Sequence, residues 1–397
     1  MYFGGGYLLF SPVAAEVLKR RGYKLTILLG LSLYSLGAIL FWPTAHFSTP
    51  ETRRASFGGF CACTFVIACG LATLETSANS YAVVIGNPST ASARLQFCQS
   101  WNGVASFIGP LIASKFFFGG GSNDLTSVQF VYLGVSCAGA AVALLFLFTK
   151  LPEVSESATA KDDESAAQAA AGPLYRQYNM IAAFVAQVCY VGAQVSIAAF
   201  FINYATENAH FTDAEASKML SYALITFTVG RFIATALATV LESDFLLMVY
   251  GVLAIGLTVF VCVGRGTVAV IMLIVIFFFE APMYPTIFAL GTANLGPHTR
   301  RGAGILVMGV SGGAVFPPIQ GAIADAAGTR ISYVVPLVGF LYVLGYVTVH
   351  WLRNGRRILK AKDAMPTIQA EKDVASTTDV MVVSIDDEKN TRWYNKV

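Results

Sequence analysis

The chain has 397 residues, of which 55% are hydrophobic and 12% are charged, and its mean hydropathy is +0.62. Soluble domains carry about 25% charged residues, so this composition excludes an ordinary water-soluble protein and predicts a polytopic membrane protein. A formal net charge of +3 is too small to indicate a nucleic-acid partner.

Eleven apolar segments follow one another along the chain, each about as long as the twenty residues that a hydrocarbon core requires. We therefore predict an all-α bundle of membrane-spanning helices. The predicted spans are 2–18, 25–42, 57–85, 91–118, 128–149, 176–206, 213–240, 245–263, 266–293, 302–326 and 331–352.

Positive charge predicts the orientation of these spans. The first connection, Lys19–Lys24, has four Lys or Arg side chains in six residues, and the positive-inside rule assigns such a loop to the cytoplasm. Threading outward from that loop also places the basic residues after Leu352 inside. We therefore expect a multi-pass plasma-membrane protein with a cytoplasmic C-terminus.

The spans divide into two helical bundles, 1–149 and 176–352. The segment between them, 150–175, is acidic and rich in Ser and Ala, which predicts a cytoplasmic linker. Residues 353–397 are polar and are predicted to be a disordered cytoplasmic tail. Five spans precede the linker and six follow it, so we expect one further helix before Met1, which would give six on each side.

Polar side chains mark one face of each of two neighbouring spans. Glu75 and Asn79 are four residues apart, and Gln96, Gln99 and Asn102 recur at steps of three, so each set faces one side of its helix. A carboxylate at mid-bilayer costs roughly 2.5–3.5 kcal/mol even on the lenient insertion scale, so an intramembrane Glu faces protein or a water-filled cavity. We interpret the two sets as the wall of a functional site.

Cysteine and histidine patterns indicate neither a metal site nor a cofactor. The seven cysteines lie in apolar runs without CxxC spacing, and the four histidines are scattered, which also disfavours a disulfide framework. The sequence has no Ser/His pair and no HExxH motif, so we do not expect an enzyme.

The two bundles contain one pair of weakly similar sequence segments. Residues 103–111 and 311–319 both run from small residues into a proline. Together with the expected six spans on each side, this favours two parallel repeats with a central site, which is the architecture of the major facilitator superfamily.

Five motifs follow one another along the predicted spans. They are GLSLYSLGAILFWP at Gly30–Pro43, LETSAN at Leu74–Asn79, Arg94-Leu95 followed by Gln99 and Asn102, YVGAQ at Tyr190–Gln194, and YPTIFALG at Tyr284–Gly291. These motifs resemble those of the L-fucose/proton symporter family of sugar permeases. The resemblance covers Met1 to Leu352 and leaves out the tail.

The resemblance implies roles for particular residues. Glu75 matches the family's fourth-helix glutamate, which takes part in sugar binding and proton coupling, and Gln99 and Asn102 match amides that hydrogen-bond sugar hydroxyls. This sequence departs from the family pattern at Gln96, where Asn is usual, and at Met283, where the fucose carrier has Gln. The family's other coupling acid lies in the first helix, which we expect to precede Met1.

The residue types themselves suit a sugar. Asn and Gln each offer a donor and an acceptor, so they can satisfy two hydroxyls in bidentate fashion, and a carboxylate accepts two more. Aromatic side chains can cover the apolar face of the ring; the candidates are Trp101, Tyr190 and Tyr284. Burial favours the protonated form of Glu75, which would link proton and sugar through one group.

The predicted function is secondary active transport of a hexose-like sugar of the L-fucose, galactose or glucose class by proton symport, carried out by a monomer in a lipid bilayer. The predicted substrate-binding residues are Glu75, Asn79, Gln96, Gln99, Asn102, Gln194 and Tyr284, and the predicted proton-coupling residues are Glu75 and Glu280.

A purely structural role remains an alternative for these residues. Glu75 can be a structural carboxylate, Glu280 can be an ion partner for Arg231, and the amides can be hydrogen-bonding glue between helices, worth about 0.6 kcal/mol each. The alternative function is a non-transporting membrane sensor or regulator of the same fold.

Overall fold

The structure is a computed structural model, and it describes residues 2–48, 53–117, 126–151 and 173–360. Within those ranges the chain is helical and forms no β-sheet. Nine helical segments there are long and apolar enough to cross a membrane, which confirms the predicted all-α membrane bundle. Most of the predicted linker and tail lies outside the described residues.

Four helices form the N-terminal half of the described chain. The first contains two predicted spans, because Gly22 adopts φ +79° and breaks the helix within the basic loop. The third is 27 residues long, enough to cross a bilayer, but its polar side chains keep it out of the nine most apolar segments. A π-helical turn, Tyr2–Tyr7, precedes α1 (Leu8–His46), α2 (Arg53–Val84), α3 (Ala91–Phe117) and α4 (Thr126–Phe148).

Nine helical pieces form the C-terminal half. They are α5 (Tyr178–Ala209), α6 (Asp213–Val240), α7 (Ser243–Val263), α8 (Gly266–Glu280), α9 (Met283–Thr292), α10 (Thr299–Met308), α11 (Gly312–Ala327), α12 (Thr329–Ser332) and α13 (Val334–Arg353).

Local sequence explains where several of these helices begin and break. Thr212 caps α6 by accepting from the Glu215 backbone N–H at 3.3 Å, while the Glu215 carboxylate accepts from the Thr212 N–H at 2.9 Å, a capping box. The predicted span 266–293 is interrupted between α8 and α9 at Ala281 and Pro282, because proline supplies no N–H to the helix ladder.

Small residues let the helices pack at backbone distance. A Cβ at Gly70 would lie 2.5 Å from the Tyr34 backbone nitrogen, and one at Gly312 would lie 2.0 Å from the Val188 carbonyl oxygen. Such contacts are typical of membrane bundles, where close van der Waals packing replaces the hydrophobic effect between helices.

Two helix pairs make the most extensive contacts between the two halves. At one, α1 packs on α10: a Cβ at Gly304 would lie 2.4 Å from the Ala15 Cβ, and the Glu16 carboxylate accepts from Arg301 at 2.9 Å. At the other, α3 packs on α6, where the Ser100 hydroxyl lies 3.3 Å from that of Thr235. Side chains that lie between these two contacts can interact with the opposite half.

Candidate functional site

Glu75 lies where side chains from both halves converge. It sits on α2 and keeps partial exposure, while the hydroxyls of Tyr7 and Tyr284 and the amide of Asn79 lie around its carboxyl group. Tyr7 comes from the start of the chain, where its hydroxyl is 3.4 Å from that of Tyr2, and Tyr284 comes from α9. The carboxyl is therefore surrounded by potential hydrogen-bond donors from three elements.

The polar faces predicted on α2 and α3 do meet. The Gln99 side-chain amide donates to the Asn79 Oδ1 at 3.0 Å. One turn earlier on α3, the Gln96 amide donates across to the other half, to the Pro282 carbonyl oxygen at 2.8 Å and to the Thr286 Oγ1 at 2.7 Å. The amide row therefore joins α2, α3 and α9.

Arg231 brings a cation into the same region. It is only 4% exposed and packs its guanidinium 4.5 Å from the centre of the Phe227 ring. Its Nη1 donates to the Gln99 backbone carbonyl and, at 3.4 Å, to the Gln99 Oε1, and its Nε donates to the Ala281 carbonyl oxygen at 3.3 Å. The hydrogen bonds of both Nη1 and Nε therefore end on carbonyl oxygens.

Glu280 is the second carboxyl group of the site. It is completely buried at the end of α8, and neither of its oxygens has a hydrogen-bond partner among the described residues. Arg231 is near enough to interact with it electrostatically, although no ion pair within 4.0 Å joins them among the described residues.

Several buried polar atoms of the site have no partner within the described chain. Buried polar groups in proteins are nearly always hydrogen-bonded, so a cluster of unpartnered ones needs an explanation such as a ligand. They are the Gln96 Oε1 and both Glu280 oxygens.

Some predicted site residues do not join this cluster. Asn102 is exposed on α3 and Gln194 is half-buried on α5, and neither side chain contributes a hydrogen bond to the described site. Trp101 is 59% exposed and contacts Phe97 and Phe232 edge-on. A binding role for Asn102 and Gln194 stays a prediction.

Arg231 and Thr286 were not recognised as site residues from the sequence. The sequence suggests Arg231 only as an ion partner for Glu280, although an arginine inside an apolar 28-residue helix is as costly in the membrane as a glutamate and equally indicates function. Thr286 gave no signal, because threonine in a membrane helix commonly bonds its own backbone, as it also does here to the Pro282 carbonyl oxygen at 2.7 Å.

The described residues include no group of three or more His, Cys, Asp or Glu side chains that could hold a metal ion. The two carboxyl groups and the guanidinium of the site can hydrogen-bond a ligand, and the carboxyl groups can exchange protons.

Comparison with known proteins places the fold and the chain length in context. The family model described as Major Facilitator Superfamily matches residues 1–315. A crystal structure of the major facilitator transporter FucP in the outward conformation superposes with a TM-score of 0.77 at 31% identity, covering 88% of each chain. A human organic anion transporter superposes with a TM-score of 0.67 at 14% identity, which reflects the shared fold alone.

Curated relatives are similar over most of their length. An L-fucose-proton symporter of Haemophilus influenzae is 31% identical, with 88% of this chain and 86% of that one aligned. A glucose/galactose transporter of Brucella abortus is 29% identical, with 87% and 82% aligned. The Escherichia coli L-fucose-proton symporter is 31% identical, with 82% and 77% aligned.

Proposed function

Since this chain belongs to the major facilitator superfamily, within the L-fucose/proton symporter group, we propose that it is a secondary active carrier for a hexose-like sugar driven by proton symport. The relatives are transporters for L-fucose or for glucose and galactose, and this range defines the substrate class. The sensor alternative gains no support from them.

The observation that carries this proposal is the setting of Glu75. Glu75 keeps partial exposure, and its carboxyl group lies near Tyr284 from the other half and near Asn79, which accepts from the Gln99 amide at 3.0 Å. A sugar hydroxyl both donates and accepts, so a carboxyl group flanked by amides and phenols can bind it from both halves at once.

Proton coupling follows from the same carboxyl group. Desolvation by a bound sugar and by closure of the halves favours the neutral form of a carboxyl group, while exposure to water favours its ionised form. A site that opens to each side in turn would therefore load a proton with the sugar and release both together. We assign Glu280 to the same proton-coupling role.

The remaining features of the proposal concern organisation. We propose two bundles, 1–149 and 176–352, that rock about the central site as a monomer, with the linker 150–175 and the tail 353–397 in the cytoplasm of a plasma-membrane protein. The positive charge of the loop Lys19–Lys24 supports that orientation.

The test is uptake of labelled L-fucose, galactose and glucose into proteoliposomes. We expect accumulation of at least one sugar against its gradient when a proton gradient is applied. Glu75→Gln should abolish this uphill uptake while leaving exchange of sugar across the membrane. Glu242→Gln is the matched control, because Glu242 is half-buried outside the site and its side chain should not affect coupling.

Two outcomes would refute the proposal. If the unmodified chain moves none of the three sugars under any gradient, it is not a carrier of this class. If Glu75→Gln accumulates sugar as well as the unmodified chain does, Glu75 is not the coupling acid.

A further inference from the structure

The interruption between α8 and α9 leaves a carbonyl group without its helical partner. In an unbroken helix the Ala281 carbonyl would accept from the residue four positions later, but that residue is Pro285, which has no N–H. The Nε of Arg231, on α6, donates to this carbonyl instead, at 3.3 Å. Arg231 therefore supplies, from a neighbouring helix, the hydrogen bond that the Ala281 carbonyl lacks within its own helix.

Arg231 also reaches the opposite half. Its Nη1 donates to the backbone carbonyl of Gln99 on α3. One guanidinium is therefore hydrogen-bonded to the Ala281 carbonyl in one half and to the Gln99 carbonyl in the other. None of the ion pairs within 4.0 Å among the described residues involves Arg231, and the hydrogen bonds of its Nε and Nη1 end on carbonyl oxygens.

Two carboxyl groups compete for the same cation. Glu280, from α8, and Glu75, from α2, both act on Arg231 electrostatically, as do the phenols of Tyr190 and Tyr284. Glu280 itself is faced by Arg231, by Tyr190 from α5 and by Tyr333 from the turn before α13.

The present arrangement fits a neutral Glu280. An ionised carboxylate that is completely buried and accepts no hydrogen bond is far more costly than a protonated one. Glu280 is 0% exposed and both of its oxygens lack partners within the described chain. When it is neutral, it does not draw Arg231 away from the two carbonyls.

We propose that Arg231 is a positioning residue that transmits the charge of Glu280 to the contact between the two halves. Ionisation of Glu280 attracts the guanidinium across the interruption, which releases the Gln99 carbonyl and loosens α3 from α6. Protonation of Glu280 returns Arg231 to the two carbonyls and restores the contact. The inference rests on the proposed carrier function only in taking separation of the halves as a working step.

A disulfide across the α3–α6 contact reports its closure without any sugar. The hydroxyls of Ser100 and Thr235 are 3.3 Å apart, so Ser100→Cys and Thr235→Cys place two thiols within disulfide reach. The full chain in proteoliposomes is oxidised at about pH 5 and at about pH 8, and the joined peptides are quantified by mass spectrometry. Each single-cysteine variant measures the background from the seven native cysteines.

We expect the disulfide yield to fall about tenfold from the acidic to the alkaline condition, the change expected when one charge-assisted hydrogen bond is lost. Thiol chemistry alone would change the yield in the opposite direction, because thiolate becomes more abundant as pH rises. A fall in yield therefore reports separation of the helices.

Variants distinguish the proposed link from a merely structural role of Arg231. Glu280→Gln should give a high yield at both pH values, and Arg231→Gln a low yield at both. Arg231→Lys keeps the charge but not the planar fork, so it should retain the direction of the pH dependence with a lower yield.

The inference is overturned if the yield of the parent pair does not fall with rising pH, or if Glu280→Gln keeps the fall. A yield in Arg231→Gln equal to that of the parent at about pH 5 would overturn it as well. If that variant does not fold, the Glu280→Gln result decides alone. Because no sugar is present, failure of the uptake assay leaves this test intact.

Discussion

Replacing Gly304 by alanine is expected to weaken the contact between α1 and α10. The added methyl group would lie 2.4 Å from the Ala15 Cβ and 2.9 Å from the Ser11 carbonyl oxygen, whereas carbon atoms rest at about 3.5–4.0 Å. Neither neighbour is the end of a flexible side chain, so the helices themselves must move apart by about 1 Å. Overpacking of this kind costs about 1–3 kcal/mol, which lowers the ratio of closed to open contacts by about five- to 150-fold.

Hydrogen–deuterium exchange of the protein in nanodiscs measures this change. Backbone amides of α1 near Ser11 and of α10 should exchange faster in Gly304→Ala, because opening exposes them to water. Gly256→Ala is the matched control, since a Cβ there meets nothing within 4 Å. Equal exchange in these segments for the two variants would show that the contact does not control opening.

Two further predictions concern ionic groups at the helix ends. Glu16→Gln removes the exposed ion pairs with Arg20 and Arg301, so the same exchange assay should show only a small increase in exchange, which disappears at high salt. Asp244→Ala removes a buried acceptor of hydrogen bonds from the Phe245 N–H at 2.8 Å and the Asn354 amide at 3.0 Å. It should destabilise the protein by about 1.5–3 kcal/mol, measured by thermal unfolding, and an unchanged midpoint would contradict that role.

Hydropathy predicted the helices well because it is a local property of the chain. The span predicted at 213–240 coincides with Asp213–Val240, and the other spans agree with helices to within a few residues. The interruption at Ala281 and Pro282 was not predicted, although the proline was visible. Proline is tolerated within membrane helices when neighbouring groups satisfy the freed backbone, so its presence alone does not distinguish a bend from a break.

Helical spacing predicted only part of the site. Steps of three turn a helix by about 300°, so each residue is rotated by about 60° from the one before, and Asn102 lies about 120° around α3 from Gln96. This explains why Gln96 reaches Pro282 while Asn102 is exposed. The contact of Arg231 with Gln99 joins positions 132 apart in sequence and has no local signature, because it depends on how the two halves pack.

The balance of charge at the site leads to a prediction about how Glu75 and Glu280 act together. One guanidinium interacts electrostatically with two carboxyl groups, so the site is electrically neutral only when one carboxyl is ionised and the other is protonated. If the two share one proton in this way, either Glu75→Gln or Glu280→Gln alone leaves a carboxylate to balance Arg231. The double variant leaves none, and an uncompensated buried charge costs about 3–5 kcal/mol.

Thermal unfolding of the single and double variants therefore forms a double-mutant cycle. The double variant should be destabilised by more than the sum of the two single variants, and adding Arg231→Gln to it should recover much of the loss, because the unbalanced charge is then removed. A strictly additive cycle would mean that the carboxyl groups titrate independently. In that case each would act on Arg231 separately, and a shared proton could not be the means by which the site couples transport to the proton gradient.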